Sequence, residues 1–284
     1  ILRDITMYLL TESEATRGMT ALPRTLFIAL AARAQGAQSF PSLDPHDGHA
    51  AQLLMASGAE VQTGPADQSI VVNVLWRTQL IKQLGHDFFE HHPHSTGVNL
   101  GSGLAHYFQW FDNGSNRWID VDLPEVIALR DHLLPTQSAR CLHKALDITT
   151  AGWWKRLGLH RHQEPLFLVC EGVLMYLQPE QVRDFLREIG ENAPEGSELV
   201  CDFISPVGVG QSALADTPAH QDALFTWGAH NGLELAGFHP RLELLSQHSA
   251  SEAFGWGGTF AEMLWAPVTG GPLYGLAQLR VSDD

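Results

Sequence analysis

Val98-Asn99-Leu100-Gly101-Ser102-Gly103-Leu104 reads as an apolar strand that ends in a Gly-Ser-Gly turn and passes into a helix. Glycine tolerates left-handed backbone and lets a ligand approach the main chain, and a helix start offers free N–H groups. The dinucleotide signature GxGxxG is not completed, because its sixth position is His106. Taken alone, a GxG turn also serves as a plain tight turn. Its surroundings decide the fold.

Working outward, short apolar runs at 97–101, 117–121, 141–146, 166–170 and 199–204 alternate with helical patterns at 104–111, 125–134, 151–157 and 179–192. Pro124 and Pro179 stand where a helix start tolerates a missing N–H. Strands separated by helices of that length mean βαβ units and a parallel sheet. Upstream, 25–34 reads as a helix behind Pro23, and 70–92 as a long amphipathic helix. Downstream, the segment after Pro206 reads as helical and irregular. Two strand-like runs follow, 259–268 and 274–281, bridged by TGGP at 269–272 as an antiparallel edge hairpin. The expectation is one Rossmann-like α/β unit: an N-terminal helical cap over 1–92, and a core over 97–284 with a substrate-side insertion at 206–240.

The 284 residues carry 17 Lys+Arg against 32 Asp+Glu, a formal charge of −15. That disfavours non-specific nucleic-acid binding, which relies on clustered Lys and Arg, and docking on an anionic membrane. With 44% hydrophobic and 17% charged residues, the chain is expected to fold as a globule. No apolar run reaches the ~18 residues of a membrane span. The opening ILRDITMYLL is interrupted by Asp4 with no small-residue cleavage site after it, so no signal peptide is expected. Cys141, Cys170 and Cys201 sit apart in apolar runs and read as buried thiols of a cytoplasmic protein.

Strand tips carry the candidate chemistry. Asp120 and Asp122 end the second strand about twenty residues after the Gly turn, where a carboxylate accepts both hydroxyls of a ribose. An N-cap for the helix at Pro124 is the plainer role. Asp147 and Ile148 follow the third strand, placed to accept from an adenine amino group and to pack on its ring; an N-cap serves there equally. Glu171 follows the fourth strand beside Gly172, where open α/β sheets reverse strand order and bind ligands. His86, His91, His92 and His94 with Asp87 and Glu90 suggest a metal at first sight, but adjacent histidines on a helix cannot face one ion, and no metal is expected.

VNLGSGL, Asp120-Val121-Asp122-Leu123-Pro124 and Glu171-Gly172-Val173-Leu174-Met175-Tyr176-Leu177, in this order and spacing, resemble the leucine carboxyl methyltransferase family. That family includes protein phosphatase carboxyl methyltransferases and tetracenomycin-type polyketide O-methyltransferases. The resemblance runs from about Thr25 to about Ser205 and continues weakly to about Leu245. It implies a class I methyltransferase with a seven-stranded, mostly parallel sheet whose last strand is antiparallel. The implied cofactor is S-adenosyl-L-methionine, leaving S-adenosyl-L-homocysteine, and the implied acceptor is a small-molecule carboxylate or polyketide-like hydroxyl. Residue by residue, it places Gly101 and Gly103 under the methionine portion, Asp122 with Asp120 at the ribose, and Asp147 and Ile148 at the adenine. Glu171 falls near the methionine amino group, and Arg77 and Arg33 match basic residues that hold the cofactor carboxylate, which a guanidinium can bind bidentately. One departure stands out: after the turn the family usually reads Leu-Asp-Thr-Arg, whereas this chain has Leu104-Ala105-His106-Tyr107. Either His106 and Tyr107 take over that role, or the chain is a divergent, non-catalytic binder of the cofactor or its product. A nicotinamide oxidoreductase is the third reading. No residue stands out as a catalytic base.

Overall fold

The computed structural model describes residues 24–59, 68–134, 138–159, 164–211 and 224–283; the first ten residues, read above for a leader, lie outside them. Seven strands form one sheet: β1 (Thr96–Leu100), β2 (Arg117–Asp122), β3 (Cys141–Ala145), β4 (Leu166–Cys170), β5 (Glu198–Ile204), β6 (Leu242–Ser249) and β7 (Tyr274–Val281). Their order is β3-β2-β1-β4-β5-β7-β6. The pairings from β3 through β5 are parallel, and β7 runs antiparallel to both β5 and β6. The expected fold class is therefore the observed one. Connections leave in opposite directions from β1 and β4, so their carboxyl ends frame the crevice where such sheets bind ligands.

Every residue of β1, β4 and β5 is buried. Near-continuous apolar runs are what a parallel sheet covered on both faces requires. On one face, α3 (Gln68–His91) lays Leu84, Phe88 and Phe89 against Trp118, Phe167 and Val169. On the other, α6 (Trp153–Leu157) and α7 (Pro179–Asn192) set Trp153, Phe185 and Ile189 against Val98, Leu100 and Leu168. Ahead of α3, α1 (Arg24–Gln35) and α2 (Gly48–Ser57) pack Phe27, Leu30 and Leu53 around Leu104, the residue that follows the Gly turn. The N-terminal helices thus rest on the turn itself. α5 (Pro124–Leu133) begins at Pro124, as the sequence suggested, and adds Leu129 to the same cluster.

Two elements differ from expectation. The helix read over 104–111 shrinks to α4 (Phe108–Phe111), because Ala105 N–H closes on Ser102 O at 3.0 Å and the chain is still turning. More consequentially, 259–268 is not a strand. It lies within α9 (Gly255–Thr269), and the partner of β7 is β6, in the stretch read as irregular. Ala, Glu, Met and Leu favour helix, and Gly270 ends it in the left-handed conformation at φ +79°. No residue of α9 is buried. α8 (Gly232–Ala236) covers the base of β6.

Candidate functional site

The Gly turn is laced to the tip of β2. Gly101 and Ser102 both donate their N–H to Val121 O, at 2.8 and 2.9 Å. Gly103 N–H donates to Asp122 Oδ2 and Leu123 N–H to Asp122 Oδ1, each at 2.7 Å. Gly101 has φ +74°, and a Cβ there would stand 2.4 Å from Val173 Cγ2, so no other residue fits. Asp122 is half-buried at the edge. Burial pushes its carboxyl up, and the two N–H donors offset that only in part.

Asp120 is not at that edge, which corrects its assignment to the ribose. It lies two residues deeper on the same face of β2, wholly buried, with Arg130 Nη2 at 2.6 Å from Oδ2 and Trp118 Nε1 at 3.0 Å from Oδ1. Spacing of two keeps the face but not the depth. Arg130, also wholly buried, donates Nη1 to Gly103 O at 2.8 Å and to Ala105 O at 2.7 Å. The pair therefore holds the turn from below while Asp122 holds it from the side. Asp120 also lies near Cys141 and His143 in a cluster of metal-ligand type. Its pairing with Arg130, and a Cys141 thiol pushed up to about 12 chiefly by burial, make that cluster unsuited to a cation.

At the tip of β4 a second arginine stands among acids. Arg77 of α3 donates Nε to Glu171 Oε1 at 2.6 Å, and Nη1 to Asp202 Oδ2 at 3.0 Å and to Tyr274 OH at 2.5 Å. Tyr274 OH in turn donates to Asp202, and Tyr107 OH to Glu171 Oε2. Gly172 N–H donates to the other Asp202 oxygen at 2.7 Å. Burial works to raise both carboxyls. For Glu171 the charges of Arg77 and Arg33 and the hydrogen bonds outweigh it and hold the group below the usual range; for Asp202 burial wins. Arg33 of α1 donates Nε to Asp47 Oδ2 at 3.1 Å, both side chains buried. Arg77 Nη2 has no hydrogen-bond partner among the described residues, and a Cβ on Gly172 would stand 3.2 Å from it.

The other sequence candidates sit nearby in the chain but are less committed. Asp147 is half-buried, and its Oδ1 takes Thr149 N–H at 2.8 Å and Thr149 Oγ1 at 2.7 Å. Ile148 is buried in the cluster that includes Trp153 and Trp154. Tyr107, standing where the family has arginine, reaches Glu171 directly. His106 edges against His49 with ring centroids 4.6 Å apart; burial lowers it to about 4, and its Nδ1 has no partner.

Sequence reasoning missed Arg130, Asp202 and Tyr274, and raised Tyr107 only as a substitute in the turn. Asp202 carried a signal: an acid inside the apolar run Leu199–Ile204 has to find a partner. Tyr274 carried none, because it arrives from the last strand.

The donor set suits S-adenosyl-L-methionine. Carboxylates at the ends of β2 and β4 match hydroxyls and an ammonium, guanidinium nitrogens match a carboxylate, and Ser102 Oγ in the turn is buried with no partner of its own.

Comparison with known proteins gives the same answer. The leucine carboxyl methyltransferase family matches residues 22–190. Tetracenomycin polyketide synthesis O-methyltransferase TcmP of Streptomyces glaucescens is 28% identical over 236 residues, 81% of this chain and 84% of that protein. A candidate S-adenosyl-L-methionine-dependent methyltransferase of Frankia alni is 31% identical over 115 residues, 37% of this chain and 40% of that one. The solved structure of a candidate methyltransferase from Thermobifida fusca superposes over 95% of this chain and 98% of its own, with a TM-score of 0.53 at 14% identity, a likeness of fold. The matched stretch exceeds half of the chain and spans both strand tips that hold Asp122 and Glu171, and the chain belongs to the leucine carboxyl methyltransferase family.

Proposed function

We propose that this site transfers a methyl group from S-adenosyl-L-methionine to an oxygen of a small-molecule acceptor, a carboxylate in the first instance and a polyketide-like hydroxyl in the second. The observation that carries the reading is the convergence of Arg77, Glu171 and Tyr107 at the tip of β4 with the Gly turn and Asp122 at the tips of β1 and β2. When bound, the cofactor supplies an electrophilic methyl group on a sulfonium, open to in-line displacement.

In this reading Asp122 accepts the ribose hydroxyls with lone pairs its two N–H donors leave free. Asp147 and Ile148 receive the adenine, Glu171 the ammonium, and Arg77 Nη2 with Arg33 the carboxylate. Ser102 Oγ gains its missing partner from the same ligand. Asp120 and Arg130 stay out of contact and keep the turn in shape.

Neither Tyr176 nor His106, the groups near the site that could take a proton, is suited to act as a base, and this favours an acceptor that needs none. Tyr176 is pushed up to about 12 by burial, so it stays protonated at neutral pH. His106 is lowered to about 4, so it is neutral but a poor proton acceptor. A carboxylate acceptor is already ionised at pH 7 and needs no base. The likeness to TcmP, an O-methyltransferase of polyketide synthesis, supports oxygen as the accepting atom. Buried free thiols at Cys141, Cys170 and Cys201 fit a cytoplasmic setting. No described helix is long and apolar enough to cross a membrane.

A labelled-methyl transfer screen across carboxylic acids and phenols tests the proposal, with isothermal titration of both cofactor forms beside it. Methylation of acids in preference to phenols is expected. Failure to bind either cofactor form sinks the reading. Binding without turnover on any acceptor would favour the non-catalytic binder, for which the altered Ala105-His106-Tyr107 turn is the motive.

A further inference from the structure

α9 is built inside out. The side facing the protein carries Gly258, Ala261, Glu262, Trp265, Ala266 and Thr269, all half-buried. The outer side carries Trp256, Phe260, Met263, Leu264 and Val268, with Trp256 92% and Val268 86% exposed. Phe254, just ahead of the helix, is exposed as well. Positions 256, 260, 263/264 and 267/268 recur at helical spacing and make one continuous stripe. Between Phe254 and Thr269 the single ionisable side chain is Glu262, and it is turned inward onto the hydroxyls of Ser249 and Ser251. The outer stripe is therefore apolar and uncharged along roughly 18 Å of helix.

We propose that this stripe is a self-association surface, on which α9 of a second copy of the chain packs antiparallel across a two-fold axis. Three observations select that occupant. The stripe is the convex face of a helix resting chiefly on the turn before it, whereas small-molecule sites are concave. The six exposed side chains offer on the order of 800 Å² per copy, using about 100–200 Å² for each, which matches the ~800 Å² per partner of a stable interface. That also exceeds the patches ordinary monomers leave bare. Charge gives the third. Each chain carries −15, so two copies repel almost everywhere, and an uncharged stripe is where they can meet. The same charge opposes an anionic lipid surface. An isologous contact closes at two copies and leaves no stripe exposed. The antiparallel arrangement opposes the two helix dipoles and brings Met263, nearest the middle of the stripe, close to its own copy.

Sedimentation of the full chain from about 1 to about 100 μM tests this, a range that spans ordinary dimer affinities. A dimer is expected, tighter by several-fold in high salt than in low salt because screening relieves the repulsion. Phe260→Glu with Leu264→Glu is expected to give a monomer that binds S-adenosyl-L-homocysteine as the wild type does. Met263→Cys should cross-link to itself on mild oxidation, while Trp256→Cys should cross-link to Val268→Cys and not to itself. A monomeric wild-type chain throughout the range overturns the proposal, as does a Phe260→Glu/Leu264→Glu variant that remains dimeric. Self-cross-linking of Trp256→Cys overturns the antiparallel packing.

Discussion

Arg130 and Arg77 are both arginines pressed among acids, yet they do different work. Arg130 is fully enclosed, and both terminal nitrogens are spent on one carboxylate and two carbonyls of the chain itself. Arg77 lies at the end of the sheet, its side chain 11% exposed, facing two carboxylates and a tyrosine with Nη2 left over. The Nε of Arg130 has no partner, but it is buried as deeply as the rest of the side chain, so no ligand at the crevice can reach it and Arg130 serves structure. A charge with a donor to spare at a crevice can serve a ligand. Both arginines pair with a wholly buried aspartate; what tells them apart is that Arg77 reaches the crevice and Arg130 does not.

The contrast can be broken by substitution, and the largest effect should fall on the closed pair. Arg130→Met leaves Asp120 buried and unpaired, and it should lower stability by about 3–5 kcal/mol, read from urea unfolding. Arg77→Ala should instead be felt in binding. Affinity for S-adenosyl-L-homocysteine by titration should drop more than tenfold, above about 1.4 kcal/mol, beside a stability loss from leaving Glu171 and Asp202 without their cation. Equal stability losses with unchanged binding would show that Arg77 is also purely structural. Asp122→Asn sharpens the boundary between the two regions. It sets an amide N–H against the Gly103 or Leu123 N–H and removes the acceptor proposed for the ribose, so affinity should fall roughly tenfold. Glu171→Gln acts through pH. The native carboxyl lies below its ordinary 4.5, so it stabilises the fold above that value and loses the contribution as pH falls through its lowered pKa. The variant's melting temperature should therefore decline less steeply than the wild type's below pH 4.5. Tyr107→Phe should be the mildest, a few-fold weaker cofactor binding for one lost hydrogen bond of about 1 kcal/mol.

Most of the sheet was legible because its strands are buried on both faces and their apolar runs leave no other reading. The place of Asp122 and Glu171 at strand ends was legible because they close such runs. Depth was not: Asp120 and Asp122 share a face two residues apart, and which of them reaches the edge depends on where β2 stops. Arg130 was hidden because its partners, Gly103, Ala105 and Asp120, are assembled from separate elements. The 259–268 segment failed for a different reason. Its composition is apolar, and apolar runs are expected inside, whereas this one forms an exposed helix. Propensity pointed to helix through Ala261, Glu262, Met263 and Leu264, and it should have outweighed the hydrophobicity.

The place of β7 carries a consequence for how the chain comes to be active. It is the last of the described strands in sequence but lies between β5 and β6. During synthesis β6 has no partner among the described strands until the residues through Val281 have emerged, and the edge of β5 that β7 covers stays open for the same interval. Tyr274, the first residue of that strand, is also the hydroxyl between Arg77 and Asp202. Sheet closure and completion of the charge network are therefore one event. A nascent chain that has already made Arg77, Glu171 and Asp202 still lacks that hydroxyl, and the charge network is finished only when the sheet is.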